Sequence, residues 1–93
     1  MRYLVCYDIN EDRVRAHVAA ILEAFGPRVQ ESVFECELSE ADLALLVARV
    51  QRALGPEPAG NVRVYRLCRD CLAASRGIGP VAAGVGVEPC VVI

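Results

Sequence analysis

The chain has no lysine, and its single histidine is His17. One imidazole excludes a metal cluster built on several histidines. No apolar run approaches the ~20 residues that a membrane-spanning helix needs. Asp8 and Asn10 interrupt the N-terminal apolar segment too early for a signal peptide. A soluble, cytoplasmic protein with no membrane partner is therefore expected. In that compartment the five cysteines read as reduced thiols, not as a disulfide framework. The glycine-rich stretch over residues 75–87 lacks both the GK[ST] ending of a phosphate loop and a GxGxxG pattern. Cys68-Arg-Asp-Cys71 is a lone CxxC with no second pair to complete a zinc site. It follows a strand-like segment and precedes glycine-rich chain, which predicts structural thiols, not a thioredoxin-like motif.

Net charge is −2, so bulk charge does not mark a nucleic-acid binder. All ten basic residues are arginine. Arginine is the better bidentate phosphate ligand, although an arginine-only chain also suits a GC-rich genome. Residues of type AVILMFWYC make up 55% of the 93 positions. That length fits one domain, residues 1–93, with neither repeats nor an interdomain linker. A domain so small buries only roughly 60–65% of its unfolded surface. Much of the apolar content must then meet another chain, and an oligomer is expected.

The order of elements can be read from periodicity. Residues 3–8 (YLVCYD) form a short strand that is apolar on both faces. Asn10 is placed to cap a helix whose stripe is Val14, Val18, Ile21, Leu22 and Phe25, and Gly26-Pro27 stops it. Residues 28–38 (RVQESVFECEL) read as one long second strand. Ser39 opens a second helix, with Asp42 in a capping-box position and Leu38 and Leu43 as a hydrophobic staple. Its stripe is Leu43, Leu46, Val47, Val50 and Leu54. Residues 62–68 (VRVYRLC) are a third strand, a weak strand follows near residues 78–82, and an apolar CVVI tail closes the chain. Two helices on one face of a small antiparallel sheet is the simplest packing, which makes the fold α+β and nearest a ferredoxin-like sandwich. The opposite sheet face would carry Leu4, Cys6 and Asp8 and needs a cover. A two-fold homodimer packed through the sheets supplies one.

Asp8 ends an apolar strand, where a carboxylate must be hydrogen-bonded, paired or metal-bound. It reads either as a cap for the following turn or as an oxygen ligand for Mg²⁺, which commonly takes one or two carboxylates and keeps its waters. Arg13, Arg15 and His17 read as a solvated helix face. Arg28, Gln30, Ser32 and Phe34 share one face by alternation, either as a nucleic-acid surface or as an ordinary edge strand.

Residues 3–9 (YLVCYDI), Arg13-Val-Arg15 and residues 26–35 (GPRVQESVFE) together resemble the CRISPR-associated protein two family, and the likeness extends through VRVYRLC. The resemblance implies a ferredoxin-like homodimer with facing sheets. It implies that residues 90–93 form a C-terminal strand pairing with the partner subunit's sheet. It also implies a Mg²⁺-dependent endonuclease acting on single-stranded RNA or double-stranded DNA, with Asp8 of each subunit holding the metal. By position, Tyr7 and Asp8 match the strand-end catalytic pair. Arg15, Arg28, Ser32 and Phe34 match nucleic-acid-binding positions, while His17 stands where some members have a second arginine. The implied partner is the CRISPR-associated integrase of spacer acquisition. An alternative role is a non-catalytic DNA-binding adaptor bridging two integrase dimers, and a minor one is a regulatory dimer binding a small ligand.

Overall fold

The computed structural model describes residues 1–78 and 89–90. Strand β1 (Arg2–Ile9) leads into helix α1 (Asp12–Glu23), strands β2 (Arg28–Gln30) and β3 (Val33–Glu37), helix α2 (Glu40–Leu54) and strand β4 (Gly60–Leu67). A short helix α3 (Arg69–Ala74) and two short strands, β5 (Gly77–Ile78) and β6 (Pro89–Cys90), follow. The first four strands form one antiparallel sheet in the order β2-β3-β1-β4. With the two long helices this is the βαββαβ order of a ferredoxin-like sandwich. Strands β5 and β6 pair with each other in parallel, Gly77 with Pro89 and Ile78 with Cys90.

The alternation of β1 sets the core. Tyr3, Val5, Tyr7 and Ile9 are buried, while Leu4 and Cys6 on the opposite face are half-buried and Asp8 is exposed. Against the buried row lie Val18, Ala19 and Leu22 of α1 and Leu46 and Val50 of α2. Phe34 and Cys36 of β3 stand opposite Val5 and Tyr3 and complete the layer. Burial pushes the Cys36 thiol above its ordinary pKa, so it stays a neutral core residue. Both predicted stripes pack inward except at Val47, which is exposed.

Three expectations need correction. Residues 28–38 are not one strand: Glu31 and Ser32 turn the chain, and β2 folds back on β3 with a register shift between Arg28 and Gln30. The turn carries no glycine, proline or asparagine to announce it. It is held from a distance, because the Tyr7 hydroxyl donates to the Glu31 carbonyl at 3.0 Å and the Tyr7 amide to the Ser32 carbonyl at 3.1 Å. The first helix is capped by Glu11, not Asn10; its carboxylate accepts from the amides of Arg13 and Val14 at 3.2 and 2.7 Å. Cys68 does not precede loose glycine-rich chain but caps α3. The second helix starts as expected, with the Ser39 hydroxyl accepting from the Asp42 amide at 3.1 Å.

Of the weak strand expected over residues 78–82, Ile78 lies in β5 and residues 79–82 lie outside the described residues. Of the CVVI tail, Cys90 ends β6, and residues 91–93 lie outside them. No helix among the described residues is long and apolar enough to cross a membrane.

Candidate metal and nucleic-acid site

The sheet delivers Asp8 to the C-terminal end of β1, opposite Asn61 at the start of β4. Gly60, opposite Ile9, makes that register possible. A Cβ at Gly60 would stand 2.7 Å from the Ile9 Cα and closer still to the Asp8 carbonyl oxygen, so only glycine lets β4 run so near this backbone. Asp8 therefore emerges exposed at the rim of a fixed edge.

Two further elements converge on the same rim. One turn into α1, Arg15 donates to the Ile9 carbonyl at 3.0 Å and pairs with the Asp12 carboxylate. Its guanidinium is thus pinned over the end of β1. From the hairpin, Arg28 lies across the Phe34 ring, 5.2 Å from its centroid, and faces Glu23 at 3.6 Å. Between them runs a groove of about 300 Å³ lined by Tyr7, Asp8, Arg15, Arg28 and Ser32, with Asp12 and Glu31 at its margins. Five of the six residues that the family resemblance assigns to catalysis or nucleic-acid binding are brought together here.

The sixth is not. Phe34 is fully buried in the core, so its ring supports Arg28 instead of offering a face to a nucleobase. The hairpin is the reason: Phe34 pairs with Arg28 across strands, and the single polar face expected from residues 28–34 does not exist. Tyr7 lines the groove but is buried, with its hydroxyl committed to Glu31, so it positions the turn beside Asp8. Sequence reading passed over Gly60 and Asp12. Gly60 carries no local signal in the sequence, and an acid at position 12 is ordinary in the first turn of a helix.

The arrangement suits a phosphate and one hard cation more than a general anion site. Two guanidinium groups face the groove, but each has a carboxylate neighbour, so the local field is mixed. Among the described residues no three Asp, Glu, His or Cys side chains converge as a metal-holding group. Asp8 itself fits Mg²⁺ as one exposed oxygen ligand, a number that cation accepts when water fills its remaining positions.

A family model described as "CRISPR associated protein Cas2" matches residues 1–74. The chain belongs to the Cas2 family. It is 42% identical over 71 residues to "CRISPR-associated endoribonuclease Cas2 1" of Chloroflexus aurantiacus, covering 76% of either chain. Streptococcus pyogenes Cas2 superposes with a TM-score of 0.71 at 28% identity, covering 85% of this chain and all of that one. A chain of a partial Cas6-RT-Cas1–Cas2 complex superposes with a TM-score of 0.63 at 35% identity, over 80% of this chain and 86% of that one. The Cas2 match ends at residue 74, with the last residue of α3, and the groove lies wholly within it.

Proposed function

We propose that this Cas2 chain serves CRISPR spacer acquisition as a homodimeric, metal-dependent endonuclease that hydrolyses phosphodiester bonds of single-stranded RNA or duplex DNA. The observation that carries the reading is the convergence of Asp8, Arg15, Arg28 and Ser32 on one groove from β1, α1 and the β2–β3 hairpin. Asp8 of each protomer would ligate Mg²⁺ across the two-fold axis. When bound, the cation lowers the pKa of a coordinated water and neutralises charge developing on the phosphate. The remaining work falls to the chain. Arg15 and Arg28 bind phosphate oxygens and set the strand's direction, and the Ser32 hydroxyl donates a further hydrogen bond. Tyr7 holds the turn that carries Ser32.

Half-buried Leu4 and Cys6 on the sheet face away from the helices support a dimer closed through that face, where a second sheet would cover them. A C-terminal strand over residues 90–93, added to the partner's sheet, would extend the same interface. The partner proposed for the dimer is the CRISPR-associated integrase, acting with it in the cytoplasm. In the test, Asp8→Asn is compared with the parent chain on RNA and duplex DNA across a Mg²⁺ titration. The proposal expects a drop of at least a hundredfold with unchanged thermal stability. Equal cleavage by both proteins would assign the activity elsewhere.

A second reading is a non-catalytic adaptor that binds duplex backbone and bridges two integrase dimers. Of the three carboxylates on the groove, Asp12 is tied to Arg15, and no metal-holding group of three converges among the described residues, which favours this reading. On that reading Asp8→Asn leaves spacer acquisition intact, whereas removing residues 90–93 abolishes it.

A further inference from the structure

The CxxC takes no part in the groove, yet the structure gives it a defined geometry. Cys68 is the N-cap of α3, with φ −68° and ψ 161°, and Cys71 is the third residue of the helix. The Cys68 sulfur accepts from the Cys71 amide at 3.2 Å. That bond folds the first sulfur back over the turn bearing the second. N-cap and third-residue side chains face each other in the same way in a capping box. A disulfide requires Cβ atoms roughly 3.5–4.5 Å apart, and the cap bond keeps the Cys68 sulfur on the turn that carries Cys71. Both thiols are reachable: Cys71 is exposed and Cys68 half-exposed.

The two sulfurs also differ in acidity. Hydrogen bonds from the Cys71 side chain and backbone hold the Cys68 thiol below its ordinary pKa, with Arg66 a smaller contribution. The Cys71 thiol is raised by the same partnership. This is the asymmetry of an attacking and a resolving cysteine. Cys36, by contrast, is buried and raised, which leaves it inert.

We propose that Cys68 and Cys71 form a reversible dithiol–disulfide couple that exchanges with low-molecular-weight disulfides. The Cys68 thiolate, its proton already released to solvent, attacks one sulfur of the small disulfide, forming a mixed disulfide and expelling one small thiolate, which takes up a proton. The Cys71 sulfur, losing its proton to solvent, then attacks Cys68, forming the internal S–S bond and expelling the second thiolate, which takes up a proton. Two protein thiols are oxidised and one small disulfide is reduced to two thiols. In chain order α3 lies between β4 and β5, and oxidation would replace its sulfur cap with a covalent one.

The test uses the full chain incubated with oxidised and reduced glutathione at stepped ratios, read by intact mass and peptide mapping. The expected result is a two-proton mass loss mapped to a Cys68–Cys71 link, reversed by reduced glutathione. Cys71→Ser should instead accumulate glutathione on Cys68, at least tenfold faster than Cys71 is labelled in Cys68→Ser. Links from Cys68 or Cys71 to Cys90 or to a second chain, or equal labelling of the two single variants, would overturn the proposal. This couple stands independently of the nuclease reading, since none of its readouts involves nucleic acid.

Discussion

The sheet with its two long helices and the segment after β4 are held together by different physics. The first part buries a contiguous core in which Phe34, Leu22, Leu46, Val5, Val18 and Cys36 are fully enclosed. Helix α3 buries no residue, and β5 and β6 are two residues each. Each fully buried large apolar side chain contributes about 1.5–3 kcal/mol, so stability concentrates in the first part. The second depends on local hydrogen bonds. The Cys68 cap and the bonds that Arg76 donates to the carbonyls of Ala73 and Ser75 are of that kind.

Substitutions can break or sharpen this contrast. The largest effect is expected from Phe34→Ala, which should cost about 3–5 kcal/mol by leaving a cavity at the centre of the core. Leu72→Ala in α3 should cost about 1 kcal/mol or less. Urea denaturation compares them, and similar midpoints for the two variants would erase the distinction between the regions. Next come two glycines. Gly60→Ala drives a methyl into the β1 backbone beside Asp8 and should cost about 1–3 kcal/mol. Gly55, at φ 74° and ψ −176°, has open space around it, so Gly55→Ala should cost about 1–3 kcal/mol from backbone conformation alone. Only the Gly60 variant should also weaken the groove, visible as reduced Mg²⁺-dependent nucleic-acid cleavage or binding.

Capping offers a smaller comparison. Ser39→Ala removes the oxygen that starts α2 and should cost about 1 kcal/mol. Cys68→Ala removes the equivalent sulfur from α3 and should change global stability by about 0.5 kcal/mol or less. Thermal melts of both variants decide it. The smallest effect concerns Glu37, whose carboxylate the Met1 ammonium holds below its ordinary pKa by a 2.8 Å hydrogen bond, with Arg2 adding attraction. A carboxyl lowered in the native state adds stability above its unfolded pKa and loses it as pH falls through the native one. Glu37→Gln should therefore flatten the acid limb of the stability curve slightly, since the pair is exposed and solvent weakens it.

Particular residues show how far the sequence could be read. The alternation in β1, both long helices and the Ser39 cap were legible because each is a local pattern with a strong period. The β2–β3 turn was not. Ser32 is only a weak turn former and Glu31 is not one, and the two bonds that hold them come from Tyr7, more than twenty residues earlier. The Cys68 cap was missed because sulfur is not among the usual capping atoms.

For the site, the sequence alone determined which groups are present: one strand-end carboxylate, two arginines and a serine, with spacing that matches the Cas2 family. It also determined that Asp8 faces away from the helix-covered side, since alternation along a strand is a local property. Only the tertiary structure decided that Arg15, Arg28 and Ser32 meet Asp8 at one rim, and that Phe34 lies beneath that rim and not on it. Strand pairing and side-chain packing across the fold are long-range events. A hairpin in place of a single strand changes which side chains share a face, and no local period records that choice.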